Sequence, residues 1–247
     1  MTNLLGQRAV VVGAGIGGLS IAGALAKYFE RVEIFERDRL TASVGSRAGT
    51  PPDRHAHGLL VGGLQALGEI FPGFESDLAR AGAVSVRVAR DFRIERPDVS
   101  VLPRRDFGMS LLCASRPLIE LVLRLRAEAI ANIALRPKCR VTGIVPATAD
   151  AAVHGIRIDA GSGRSETLEA DLVVDATGRG ALTLALLDAL DSERPEVSEV
   201  GVDLSYATAV VQIPNNAPPD WKFVLTLPDP PALALYAVLA PMEAVAG

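Results

Sequence analysis

The sequence predicts an α/β fold built on a parallel sheet and interrupted by β segments of a different texture, and three observations predict it. Close to the N-terminus an apolar run, Val10-Val11-Val12, passes straight into Gly13-Ala14-Gly15-Ile16-Gly17-Gly18. A second run, Leu172-Val173-Val174, passes into Asp175-Ala176-Thr177-Gly178-Arg179-Gly180. Between and after them lie alternating, proline-punctuated stretches whose period of two suits exposed-face strands and not a strand–helix–strand unit.

Ala9 to Val12 reads as a buried strand and Ile16 to Phe29 as a helix, so the glycines fall in the tight turn of a βαβ unit of Rossmann type. Gly13 makes the turn, Gly15 lets the backbone approach a pyrophosphate, and Gly18 lets helix and strand pack closely. The helix N-terminus adds unpaired N–H groups and the positive end of its dipole. Arg31 to Phe35 forms the second strand, because Val32, Ile34 and Phe35 are apolar and the charged run Glu36-Arg37-Asp38 ends it. That order places the Glu36 carboxylate where a ribose diol would lie. The plain alternative is that Glu36 and Arg37 form a solvated strand end.

Further along, Leu60, Leu64, Leu67 and Phe71 give helical spacing over Leu59 to Phe71, stopped by Pro72-Gly73, and a short helix follows over Glu75 to Ala81. Val84 to Val101 turns strand-like, an insertion in texture. Ser115 caps a helix with Pro117 in its first turn and Leu118, Leu121, Val122 and Leu125 on one face. Short strands are expected over Ile133 to Leu135, Arg140 to Ile144, Val153 to Ile158, Thr167 to Ala170 and Asp171 to Asp175. Beyond Leu190, period-two alternation at Val202, Leu204, Tyr206, Thr208 and Val210, then apolar runs Lys222 to Leu227 and Ala234 to Leu239, predict an antiparallel sheet outside the nucleotide fold.

Composition bounds the function. A chain of 247 residues with 49% hydrophobic content can bury a sizeable core. The formal charge of −4, with no basic cluster to offset it, argues against a nucleic-acid partner. Two cysteines, Cys113 and Cys139, make neither a disulfide framework nor a ligand set. His55 and His57 lack further metal ligands nearby, so no metal site is expected. Ala9 to Ala26 is almost wholly apolar, but five glycines interrupt it and no basic region or cleavage site flanks it, so no transmembrane segment or targeting signal is read and the expected location is cytoplasmic.

Taken together, these residues resemble the flavoprotein monooxygenases of the aromatic-hydroxylase type, in particular the branch that includes FAD-dependent polyene epoxidases of polyether biosynthesis. Arg47-Ala48-Gly49-Thr50-Pro51 and Arg54-His55-Ala56-His57 look like that branch's Arg-x-Gly-x-Pro and Arg-His-x-His segments. Phe71-Pro72-Gly73 and Ala81-Gly82-Ala83 fall where it has a similar helix end and Gly-Ala pair. Ser115-Arg116 resembles the helix start that carries its flavin-contacting arginine, and Ala170 to Gly180 resembles its second FAD motif.

The resemblance implies an FAD-dependent oxidoreductase, most readily a monooxygenase that uses NAD(P)H and O2 on a hydrophobic aromatic or polyene small molecule. Gly13, Gly15 and Gly18 would face the FAD pyrophosphate, Glu36 the adenosine ribose and Arg37 the adenine edge. Arg116 would reach the pyrophosphate or ribityl region, the Val141 backbone the adenine, and Asp175 to Gly178 the inner end of the cofactor. Arg47 would lie near the flavin or the route of the nicotinamide donor. Asp175 has a plainer alternative, capping the turn that follows it. No catalytic side chain is nominated, since the chemistry belongs largely to the cofactor. The lone Trp221 lowers a flavin halogenase reading.

The implied architecture is a discontinuous FAD-binding domain, residues 1–83 and 108–190, with a partial substrate domain from residues 84–107 and 191–247. Departures accompany it: Pro52 stands where the branch often has glutamine, and Ala181 where serine usually follows the second motif. The family's third motif, a Gly-Asp pair, is missing, since the chain contains no Gly-Asp dipeptide. The sequence is therefore expected to be a product truncated at the C-terminus or a fragment, or else an unusual short form. A non-catalytic FAD-binding fragment and a flavin-dependent isoprenoid reductase stay open as alternatives, as do substrate identity and oligomeric state.

Overall fold

The computed structural model describes residues 4–50, 53, 55, 57–96, 103–147, 152–159, 164–203, 205–217, 222–227 and 237–243. In chain order the elements are β1 (Gly6–Val12), α1 (Ile16–Leu25), β2 (Phe29–Phe35), β3 (His57–Leu59), α2 (Val61–Ile70), α3 (Phe74–Arg80), β4 (Val84–Arg87) and β5 (Phe92–Glu95). There follow β6 (Ser110–Ala114), α4 (Arg116–Glu128), β7 (Ile133–Arg136), β8 (Val141–Pro146), β9 (Val153–Asp159), β10 (Ser165–Glu169), β11 (Leu172–Asp175), α5 (Ala181–Ala189), β12 (Phe223–Thr226) and β13 (Ala237–Leu239). The chain divides into two compact units, residues 1–51 with 120–205 and residues 52–119 with 206–247.

The first unit carries a four-stranded sheet in the order β11-β1-β2-β7, all parallel. Alternation along β1 and β2 sorts their apolar residues onto two buried faces. On one face Val10, Val12 and Phe35 pack with Val141, Ile156 and Ala170, against which Leu168, Val173 and Leu182 also lie, so the antiparallel sheet β10-β9-β8 and α5 close that side. Ala9, Val11, Val32 and Ile34 on the opposite face are fully buried, and α1, which buries Leu19 and Ala22, contacts both strands. Each such side chain contributes about 1.5–3 kcal/mol on burial, apart from the smaller alanines.

The helix expected to reach Phe29 ends at Leu25, and Phe29 opens β2. The cause is tertiary: the Asn132 amide donates to the carbonyls of Ala26 and Phe29 at 2.7 and 2.9 Å, an arrangement that stops the helix and starts the strand. The apolar run over Ala9 to Ala26 is accordingly split between strand, turn and a ten-residue helix. Among the described residues no helix is long and apolar enough to cross a membrane.

The second unit holds the antiparallel sheet β3-β6-β4 and a mixed sheet, β13-β12-β5. Val86, Leu111 and Cys113 form its buried centre, with Val84, Val88, Phe92, Phe223 and Ala240 against them. The rings of Phe92 and Phe223 are 4.5 Å apart between centroids. Burial pushes the Cys113 thiol up to about 11. Leu59, expected to open a helix, instead ends β3 opposite Leu112. Only part of the predicted C-terminal sheet is antiparallel, because β12 pairs with β13 antiparallel but with β5 in parallel. The alternating segment from Val202 to Val210 forms no strand where it is described; Leu204 lies outside the described residues, as do Ala234 to Tyr236 of the expected last strand. Val202, Tyr206 and Val210 are 80%, 61% and 64% exposed, and alternation without a neighbouring strand supplies no ladder.

Candidate cofactor site

The order of the parallel sheet puts β1 beside β11, and the register pairs Val12 with Asp175. The loops leaving these two neighbouring strands, one to α1 and one to α5, therefore diverge at their carboxyl ends. That is the switch-point crevice where open α/β sheets take ligands. Both glycine-bearing turns found in the sequence lie at this edge.

Three glycines of the first turn serve different ends. Gly13 has φ of +106°, and a Cβ there would lie 2.7 Å from the Ala176 carbonyl oxygen, so it joins the two turns. A Cβ on Gly18 would meet the Gly13 carbonyl oxygen at 1.9 Å, which sets how closely α1 approaches the turn. Gly15 differs: its φ of −77° and ψ of −179° suit any residue, and a Cβ would meet only Arg47 Nη2, at 3.9 Å. Among the described residues nothing demands a glycine at that position. The N-terminus of α1 has no side-chain cap and no acidic residue in its first turn, which leaves its first N–H groups without a capping side chain.

Glu36 follows directly on β2 and is 4% exposed. Its Oε2 accepts the Ala14 N–H at 2.8 Å and Arg47 Nη1 at 3.1 Å, while Oε1 accepts the Asp38 N–H at 2.9 Å. Arg47 lies against the same turn, donating Nη2 to the Ala14 carbonyl at 3.2 Å and reaching Asp38 and Glu120. Burial pulls its pKa down, but the charges of Glu120 and Glu36 and the hydrogen bonds of Glu120 and Asp38 outweigh that and hold it above the ordinary value. Arg37 extends toward solvent, 65% exposed, 4.0 Å from Asp38.

Asp175 ends β11 with both oxygens engaged. Oδ1 accepts the Thr177 N–H at 3.1 Å and its hydroxyl at 2.6 Å; Oδ2 accepts the Thr183 N–H at 3.1 Å and its hydroxyl at 3.0 Å. Burial pushes this carboxyl's pKa up, and the four hydrogen bonds overcome it, so the net direction is downward. The carboxylate thus ties the turn to the first residues of α5. Gly178, with φ of +92°, is exposed on that turn, and open space faces it.

The structure therefore gathers Gly13, Gly15, Gly18, Glu36 and Arg47 at one turn, with Asp175 and Gly178 on the adjoining one. Val141 is in the core on β8, paired with Ile158. Arg116 opens α4 in the second unit, where Ser115 Oγ accepts the Leu118 N–H and the Ser115 N–H and hydroxyl donate to the Glu243 carboxylate. His55 Nδ1 lies 2.8 Å from Thr208 Oγ1, and His57 Nδ1 lies 2.8 Å from the His55 carbonyl. Thr177 falls inside the segment Asp175 to Gly178 expected at the site, whereas Asp38, Glu120 and Thr183 were not singled out. Asp38 and Thr183 sit within a few residues of expected site positions, and Glu120 lies one helical turn after Arg116, which is the signal that was available.

The first unit has a Rossmann-like fold, and the chain carries further β structure beside it in sequence. Residues 11–61 match the family described as NAD(P)-binding Rossmann-like domain. The chain is 33% identical over 236 residues to Protein Rv3254 of Mycobacterium tuberculosis, covering 87% of this chain and 48% of that protein. Among solved structures it resembles Pseudomonas aeruginosa PqsL, described as a probable FAD-dependent monooxygenase; the complex of PqsL with 2-aminobenzoylacetate gives a TM-score of 0.55 at 16% identity, over 78% of this chain and 48% of that one. It also resembles p-nitrophenol 4-monooxygenase PnpA of Pseudomonas putida DLL-E4, with a TM-score of 0.49 at 20% identity, over 71% of this chain and 41% of that one. The chain spans about half the length of Rv3254 and of PqsL. The PqsL likeness establishes the shared fold.

Proposed function

We propose that this chain binds FAD and belongs to a flavin-dependent monooxygenase that takes electrons from NAD(P)H and delivers oxygen to a hydrophobic aromatic or polyene substrate, in the cytoplasm. The observation that carries the reading is Gly15, a glycine the protein's own packing does not require, beside an uncapped helix N-terminus and a buried acid at the end of the next strand. Those features fit a dinucleotide: backbone N–H groups for a pyrophosphate, free approach over Gly15, and Glu36 for ribose hydroxyls.

When bound, FAD supplies two-electron redox chemistry and the activation of O2. The chain's own part is to bind and orient. The Gly13 to Gly18 turn and α1 would hold the pyrophosphate, Glu36 the adenosine ribose, and Arg37 and the Val141 backbone the adenine. Asp175 acts through Thr177 and Thr183, fixing the turn that carries Gly178 at the inner end. The charge and hydrogen bonds of Glu120, Glu36 and Asp38 hold the Arg47 guanidinium beside the same turn.

The alternative reading is FAD binding without turnover. One experiment tests both. Purified chain is mixed with FAD and followed by absorbance and fluorescence, then by oxygen uptake on adding NADH or NADPH. Flavin binding with NAD(P)H-dependent oxygen consumption is the expected result; binding without oxygen uptake supports the second reading alone. A chain that takes up no flavin overturns both, and Gly15→Val or Glu36→Ala leaving uptake unchanged overturns the placement of the cofactor.

A further inference from the structure

We propose that Arg47 is a positioning residue for Glu36 and not a ligand of the pyrophosphate, with Glu120 and Asp38 holding it in that role; the proposal rests on the dinucleotide reading above. A guanidinium has five N–H donors in a rigid fork. All five of Arg47's find acceptors within the first unit. Nε donates to Glu120 Oε2 at 3.2 Å, Nη1 to Glu36 Oε2 at 3.1 Å and Asp38 Oδ2 at 3.2 Å, and Nη2 to Glu120 Oε2 at 3.1 Å and the Ala14 carbonyl at 3.2 Å. A phosphate oxygen reaching this group has to displace one of those acceptors.

The same fork settles which oxygen of Glu36 can read a ligand. Oε2 takes two donors, the Ala14 N–H and Arg47 Nη1, whereas Oε1 takes one among the described residues, the Asp38 N–H. Each carboxylate oxygen accepts about two hydrogen bonds. Oε2 is therefore filled and Oε1 keeps room for a hydroxyl.

Charge makes the arrangement depend on Arg47. Glu36, Asp38 and Glu120 bring three carboxylates to one guanidinium, and the four side chains are only 6% to 16% exposed. Without the cation the three like charges repel, and only the Ala14 and Asp38 N–H groups are left to hold Glu36 toward the turn. Arg47 itself sits in a loop without regular structure, so its aim comes from its partners. Asp38 Oδ2 also accepts the Gly49 N–H at 2.8 Å, which closes the loop, and Glu120 anchors the fork to α4.

The test compares FAD with an FAD analogue whose adenosine ribose lacks both hydroxyls, each titrated into the full chain with flavin fluorescence as the readout. The unsubstituted chain is expected to prefer FAD by about tenfold, the worth of a hydrogen bond to a charged group. Arg47→Lys keeps the positive charge but cannot span the same acceptors. It should remove the preference by weakening FAD while leaving the analogue within about twofold. Glu120→Gln should shift the preference in the same direction. Equal weakening of FAD and analogue by Arg47→Lys, as for a direct pyrophosphate contact, overturns the proposal, and so does no effect on either. A lower Tm with an unchanged preference ratio marks a merely structural role and also overturns it. If the unsubstituted chain binds both equally, the proposal alone fails; if it binds neither, the dinucleotide reading fails and the proposal with it.

Discussion

A Cβ on Gly18 would stand 1.9 Å from the Gly13 carbonyl oxygen, so the first turn of α1 and the turn before it touch backbone to backbone. Gly18→Ala cannot be absorbed by a side-chain movement and should destabilise the chain by about 3 kcal/mol or more. Gly17→Ala, where a Cβ meets nothing within 4 Å, should be neutral or stabilising by up to about 1 kcal/mol. Urea midpoints of the two variants check the contrast. Equal midpoints would show that the close approach is not as described.

Asp175 holds four donors from Thr177 and Thr183, two of them backbone N–H groups. Asp175→Asn turns one acceptor oxygen into an amide that faces donors, and a loss of about 1–3 kcal/mol is expected. Amide hydrogen exchange should quicken first over Thr177 to Leu184. Unchanged protection there would remove Asp175 from its anchoring role.

The pH dependence of stability should carry a signature from Asp91. Hydrogen bonds from Arg87 lower its carboxyl to about 2 against the opposing effect of burial, with the charges of Arg87 and Lys222 assisting. A carboxyl lowered on folding adds stability that is complete above its unfolded value near 3.8 and lost as pH falls through 2. Asp91→Asn should therefore be less stable than the unsubstituted chain at pH 6. The gap should close between about pH 4 and pH 2. Denaturation curves across that range check it, and a gap independent of pH contradicts the assignment.

Ile156, fully buried on β9, packs among Val10, Val12 and Phe35 of the parallel sheet. Ile156→Ala should cost about 2–5 kcal/mol through lost burial and the cavity left behind. Ile156→Val should cost about 0.5–1.5 kcal/mol. If both cost the same, the site collapses around the smaller side chain and the packing is looser than described.

What could be read from the sequence was what is local. The strand, glycine turn and following strand that ends at Glu36 are set by neighbours in the chain, and the same holds for the run into Asp175. The end of α1 was not legible, because Asn132, distant in sequence, supplies the amide that stops it. β6 was missed because Leu111-Leu112-Cys113-Ala114 is uniformly buried and so has no alternation to detect. Val202 to Val210 misled in the opposite sense, showing period two with no pairing strand among the described residues. Within the candidate site, the Arg47 fork was invisible because Glu120 reaches it from α4, 73 positions away in sequence.

The pairing of β1 with β11 has a consequence for how the chain is made. β1 can pair with β2 almost as soon as both emerge, but its other edge waits for Leu172 to Asp175. At about 5–20 residues per second, the roughly 160 intervening residues take on the order of ten to thirty seconds to synthesise. During that interval Ala9 to Val12 present an unpaired, apolar strand edge, the kind of surface that templates association with other chains. The strand inside the parallel sheet of the finished first unit is thus the one whose second edge is covered last.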